Sequence, residues 1–435
     1  ATLSDAIDQL TLMADVRQSP LVALMNTLSM QGRTGQTGEA IADSLVKSAK
    51  NLFNRDGQSA IDQQGGVRGP LDATFGPVLA LLDNRDGGTP TSRLSLQTFL
   101  TRVTQVRLRL QQVTNATDPQ AMTRLLAQTV FQGKAVDLTE TRDYGSLVAA
   151  GLGQEWSGFG QTLFVRPMEQ AWQQVLTPAA ESLNAQWRSA VVEDWNSAFG
   201  GRYPFKNTSS EVSLPLLAKY LDSETGRIAR FLQTRLNGVL HKEGSRWMAD
   251  SINAQGLTFN PAFLQAMNTL SHLSDVAFAN GEAGLHFALR PGTADGVMQT
   301  ELVIDNQKLV YMNQMPVWRR FSWPADTEAP GASLSWISTR AGTRQYGDFP
   351  GAWGWIRLLD KAVVSAYPGT SSSWSLSWKA PDGLLLNYTL RTEAGEGPLA
   401  LLALRNFTLP ETIFSVRASA ERVPLTDDIP GEEGY

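Results

Sequence analysis

Cysteine is absent from all 435 residues, which excludes disulfides, thiolate metal sites and a cysteine nucleophile. Charge is sparse: 18% of residues are Asp, Glu, Lys or Arg, against ~25% in typical soluble domains. Gln, Ser, Thr and Asn fill the gap, a balance that suits an exported chain whose core is large enough to do without disulfides. No apolar run approaches the ~20 residues of a membrane helix; stretches such as 21–28 are interrupted by polar residues. Residues 1–20 lack a basic segment followed by an apolar one, so any targeting or anchoring element is expected outside this chain.

Further absences narrow the chemistry. The net charge of −5, with no Lys/Arg block, lacks the footprint of nucleic-acid binding. Arg102, Arg107 and Arg109 read as a solvated helix face. The three histidines, His241, His272 and His286, fall in separate elements without metal-ligand spacing, and no triad can be assembled from them. Asp83-Asn84-Arg85-Asp86-Gly87 departs from a calcium loop because Arg85 occupies a ligand position, so a turn is expected. Phosphate-binding glycine loops and a G-x-S-x-G elbow are missing. No catalytic residue, cofactor or metal is assigned, and the chain reads as a non-enzyme.

What is present is a change of period. Two or three domains are expected at this length, and the first two-thirds read as helices. Leu3, Ile7, Leu10 and Ala14 recur at helical spacing, and similar patterns cover 38–53, 71–82, 92–115, 118–131, 213–221, 224–240 and 261–279. The pattern is strongest from Trp156 to Phe199, where Trp187, Val191, Trp195 and Phe199 are spaced by four and read as a core stripe.

Beyond residue 281 alternation takes over. Leu285, Phe287 and Leu289 alternate with more polar residues, Asp305-Asn306-Gln307-Lys308 signals a hairpin, and Pro381-Asp382-Gly383 turns the chain into 384–391. The fold class expected is α + β: a helical subdomain over 1–150, a second over 151–280, an antiparallel β-sandwich-like domain over 281–425 with helix-like Trp353–Ala362 inserted, and an acidic flexible tail over 426–435.

Seven of twelve tryptophans fall in the β domain: Trp318, Trp323, Trp336, Trp353, Trp355, Trp374 and Trp378. Trp374 and Trp378 share a face with Leu376 and read as core, whereas Trp318 and Trp323 lie on opposite strand faces, so one of the two is expected to be open to a partner.

Several short motifs occur in a fixed order: Arg202-Tyr203-Pro204-Phe205, the run Glu301-Leu302-Val303-Ile304-Asp305-Asn306-Gln307 followed by Tyr311, then Phe321-Ser322-Trp323-Pro324, then Gly351-Ala352-Trp353-Gly354-Trp355-Ile356-Arg357-Leu358-Leu359-Asp360. Over 200–365 this order resembles the C-terminal region of TssM/IcmF proteins of type VI secretion systems. Ala325 and Asn306 replace the glycines usual after Trp-Pro and in the turn; Asn tolerates positive φ. The resemblance implies a periplasmic ectodomain of an inner-membrane protein, with membrane anchor and nucleotide-binding-like domain outside this chain. The implied partners are the outer-membrane lipoprotein TssJ, a TssL-type inner-membrane protein and further copies in a symmetric complex.

Exposure logic places partner contacts in the loops 291–298, 324–332, 340–350 and 367–373, with Trp323 and the region of Arg344, Tyr346, Asp348 and Phe349 foremost. A glycan-binding module using exposed Trp and Tyr rings is the alternative, and an extracytoplasmic hydrolase a third reading that no motif supports.

Overall fold

A computed structural model describes residues 3–15, 19–32, 72–82, 94–134, 137–251, 254 and 257–415. Within these the chain is α + β as expected, helices first and antiparallel sheets after. The patterns at 38–53 and 426–435 and the Asp83–Gly87 turn lie outside the described residues.

Helices Leu3–Ala14, Pro119–Phe131 and Asp137–Gly151 pack on helix Arg166–Trp187, and Leu96–Thr114 packs on Leu3–Ala14 and Asp137–Gly151. Local chemistry sets their starts: Ser95 Oγ accepts from Thr98 N at 3.1 Å, and Asp118 Oδ1 from Ala121 N at 3.1 Å ahead of Pro119, each occupying an otherwise orphaned helix donor. Arg102 and Arg109 are more than a solvated face. They reach Glu140 at 3.9 Å and Asp137 at 3.2 Å on helix Asp137–Gly151, which the sequence reading did not single out.

Trp187, Val191, Trp195 and Phe199 are all buried, as the stripe predicts. A step of four overruns a 3.6-residue turn by about 40°, so an ideal helix would rotate them apart. A π-helical turn over Arg188–Val192 winds more loosely, takes up part of that excess and keeps them on one face.

The helix expected over 224–240 stops at Arg235. A hairpin follows, β1 (Leu240–Glu243) against β2 (Arg246–Ala249), turning at Gly244 with φ +62°. Asn268 of helix Pro261–Ala277 fastens it, accepting from Trp247 N at 2.6 Å and donating to Trp247 O at 3.1 Å.

The β domain has two sheets. One runs in the order β6 (Arg319–Trp323), β3 (Leu285–Pro291), β11 (Leu385–Thr392), β10 (Ser373–Lys379), β9 (Val363–Ala366); the other in the order β5 (Gln307–Tyr311), β4 (Val297–Ile304), β7 (Gly331–Ser338), β8 (Gly342–Pro350). Asp305 and Asn306, at φ 43° and 62°, make the two-residue turn between β4 and β5 that the sequence predicts. The buried Asp305 carboxylate accepts from Ala325 N at 3.1 Å and Gly331 N at 2.9 Å, pinning the Trp-Pro loop and the start of β7. Helix Gly354–Asp360 supplies Trp355, which stacks on Phe287 at 5.7 Å and 8°; Phe287 in turn stacks on Phe321 at 5.8 Å. Trp378 Nε1 donates to Leu358 O at 2.8 Å, anchoring this helix to β10.

Two of the recognisable motifs, Arg202–Phe205 and Gly351–Asp360, meet where the β domain joins the helices. Trp353 Nε1 donates to Val212 O at 2.8 Å, and Arg357 donates to Glu211 Oε2 at 3.0 Å and Thr208 O at 2.7 Å while its guanidinium covers the Tyr203 ring at 3.9 Å. Burial pushes the Tyr203 hydroxyl well above its ordinary pKa, with Asp360 acting in the same direction. Gly351, at φ +103°, is required here: a Cβ would stand 2.2 Å from Glu211 Oε1.

A second tie lies further along. After β11 the chain returns to the helical body, where Asn184, 3% exposed, accepts from Ile413 N at 2.8 Å and Phe414 N at 3.0 Å and donates to Phe414 O at 3.0 Å. Trp187 Nε1 donates to Pro410 O at 2.7 Å beside it. The buried side-chain amide thus uses three of its four hydrogen-bonding positions on the strap's backbone, which is what makes its burial tolerable.

Candidate partner-docking surface

The region 340–350, expected to be a loop, is largely an edge strand. Among the described residues β8 pairs only with β7, so its other side presents backbone N–H and C=O groups that no described strand pairs. The hairpin that delivers it is closed by Ser338 Oγ, accepting from Arg340 N at 3.2 Å and Ala341 N at 2.9 Å, and by Gly342 at φ +65°. Register shifts between Leu334 and Ser335, which face Gly347 and Gln345, so Tyr346 is the extra residue of a β-bulge.

Four of the five predicted contact residues therefore share one strand. Arg344 and Asp348 are exposed, whereas Tyr346 and Phe349 are half-buried and rooted against the core. Burial raises the Tyr346 hydroxyl pKa, and Lys361 Nζ stands 6.0 Å from the Phe349 ring centre. An aromatic base with charged flanks on a free strand edge gives area, directional backbone bonding and charge selectivity together.

Trp323 is not with them. It points inward from β6, 1% exposed, edge-on to Trp353 at 5.8 Å. Strand parity decides this: Phe321 and Trp323 share the inner face, so the outward ring of the pair is Trp318, which is half-buried. Trp336, Trp353, Trp355 and Trp378 are buried too, and Trp374 is half-buried, so most rings that a glycan-stacking module would use face the core.

Among the described residues no group of three or more His, Asp or Glu is placed to hold a metal. Ser322 Oγ and His286 Nδ1 are 3.2 Å apart on the open outer face, without a carboxylate bonded to that imidazole among the described residues. Sequence reading missed the exposed Met312, Met315 and Val317 between β5 and β6; apolar residues in a segment between two strands are the signal that marks them.

Two family models match in tandem: the Type VI secretion protein IcmF helical domain over residues 178–283 and the Type VI secretion protein IcmF C2-like domain over 287–394. A solved structure described as the Type VI secretion system membrane core complex is 69% identical, covering 96% of this chain and 79% of that chain at a TM-score of 0.65. The chain belongs to the TssM/IcmF family. A second solved structure, a Type VI membrane complex, is 68% identical over 95% of this chain and 80% of its own, at a TM-score of 0.77. The TssM C-terminal domain from EAEC is 74% identical over 55% of this chain and all of that one, at a TM-score of 0.54.

Among curated relatives, the Type VI secretion system component TssM1 of Pseudomonas aeruginosa is 25% identical over 234 residues, 53% of this chain. The chain spans 21% of that relative's length. The family resemblance drawn from Arg202–Phe205, Glu301–Gln307, Phe321–Pro324 and Gly351–Asp360 is borne out. No helix among the described residues is long and apolar enough to cross a membrane.

Proposed function

We propose that this chain is the periplasmic part of a type VI secretion membrane-complex protein and acts as a scaffold, not an enzyme. The helical body serves as strut and assembly surface, and the β domain docks an outer-membrane lipoprotein of the TssJ type. The observation that supports this best is the likeness, over nearly the whole chain, to solved type VI secretion membrane complexes, taken with a partly apolar edge strand that no other described strand pairs on its outer side. The contact we assign to the lipoprotein is β8, through Arg344, Tyr346, Asp348 and Phe349. A TssL-type protein and further copies of the chain complete the assembly, and the membrane anchor belongs to a part of the protein outside this chain.

The test is calorimetric titration of the 435-residue chain with the soluble form of the cognate lipoprotein. One-to-one binding that weakens when Arg344 and Asp348 are replaced by alanine supports docking on β8. Absence of binding to the folded wild type overturns the docking role.

A further inference from the structure

The outer face of the other sheet carries a second surface of different make. Trp318 lies between two guanidinium groups, Arg290 of β3 at 4.9 Å and Arg391 of β11 at 4.3 Å from the ring centre. Arg320 extends outward from β6 toward a depression of about 380 Å³ shared with His286, Ser322 and Glu393. None of Arg290, Arg320 and Arg391 forms an ion pair among the described residues. Three cations against the one carboxylate of Glu393 leave this face positive in a chain whose net charge is −5.

Immediately before Trp318 the chain presents Met312, Met315 and Val317, with Met315 86% exposed. This loop is held in shape rather than left loose: Asn313, at φ +60°, donates from Nδ2 to Val297 O at 3.0 Å, and Met312 N donates to Gln314 Oε1 at 2.6 Å. Exposed apolar residues on a braced loop beside an arginine–tryptophan stack mark an interaction surface.

We infer that this surface docks an acidic, amphipathic segment of a protein partner, its carboxylates on Arg290, Arg320 and Arg391 and its apolar side chains on Met312, Met315 and Val317. Charge complementarity fixes the sign of the partner. Composition fixes its class: Arg, Trp and Met are the residues enriched in protein–protein interfaces, where Lys is depleted, and the segments 285–292, 312–323 and 385–392 contain no lysine. Guanidinium groups stacked on a ring are already oriented, so they lose little freedom in gripping a carboxylate with two parallel hydrogen bonds. The surface lies on the opposite sheet from β8 and is independent of the docking assigned there.

The experiment titrates the whole chain into a fluorescein-labelled synthetic peptide alternating glutamate and leucine, with the glutamine counterpart and vesicles of anionic phospholipid as the other arms. The glutamate peptide is expected to bind saturably and more weakly as salt rises, with affinity falling about tenfold in Arg290→Ala/Arg391→Ala. Because those arginines also pack on Trp318, Met315→Ser is measured alongside; its exposure leaves the fold untouched, and it too is expected to weaken binding. The Arg344→Ala variant on β8 is expected to bind as wild type. Unchanged affinity in either surface variant, equal binding of the glutamine peptide, or preference for the vesicles overturns the proposal.

Discussion

The joint between the β domain and the helices and the free edge of β8 belong to the same domain and are made of opposite materials. At the joint, Trp353 and Tyr203 are buried, and Arg357 is spent on Glu211 and on a backbone carbonyl. On β8, Arg344 and Asp348 are exposed, and no described strand pairs its outer edge. Two of the motifs that make the chain recognisable, Arg202–Phe205 and Gly351–Asp360, sit at the first place; the residues assigned to a partner belong to none of the motifs. Short sequence motifs here report how the molecule is held together, and the docking surface proposed on β8 lies outside them.

That contrast can be broken most forcefully at Trp353. Trp353→Ala removes a fully buried ring and the bond to Val212, and is expected to cost about 3–5 kcal/mol, read as a lowered denaturation midpoint. Arg357→Met strands a largely buried Glu211 carboxylate and is expected to cost about 3 kcal/mol. Adding Glu211→Gln should then cost less than the two changes measured separately, because the pair acts as a unit.

At the second tie, Asn184→Ala leaves two N–H groups and one carbonyl of the strap without partners, for roughly 2–3 kcal/mol. Hydrogen exchange at Ile413 and Phe414 should accelerate in that variant. On the other side of the comparison, Arg344→Ala/Asp348→Ala should leave stability within about 0.5 kcal/mol of wild type, while weakening lipoprotein binding about tenfold. A β8 variant that unfolds the domain, or a joint variant that does not, would erase the distinction.

The smallest expected effect concerns Asp305, an internal tie that touches neither region. Burial raises its pKa although Ala325 and Gly331 donate to it. A carboxyl whose folded pKa lies above its unfolded value contributes stability that is fully present below the ordinary carboxylate range and is lost as pH rises through the raised value. Wild-type denaturation midpoints should therefore decline slightly as pH climbs just above that range, and Asp305→Asn should flatten the decline.

Much of the architecture was legible because its period was: the stripe from Trp187 to Phe199, the alternation of Leu285, Phe287 and Leu289, and the Asp305-Asn306 turn all carry their geometry in their spacing. The π-helical turn at Arg188–Val192 was not read, although three consecutive steps of four hint at it. The hairpin of β1 and β2 is too short for a period to declare itself. β8 passed for a loop because Gly342, Gly347 and Pro350 signal turns, and pairing with β7 overrides that local preference. Trp323 was misjudged for a different reason. Parity says that Trp318 and Trp323 face opposite ways, and only the second sheet's position says which way is in.

The returning strap has a mechanical side. Residues 285–404 leave the helical body through one covalent connection and come back through another, with the strap at 410–415 fastened beside Asn184 and Trp187. A pull on the far end of the sandwich is thus shared between two tethers. It cannot be relieved by peeling one of them, since the joint around Trp353 and the strap around Asn184 load in parallel. A domain stitched down at both ends transmits force as a rigid arm rather than as a bead on a string.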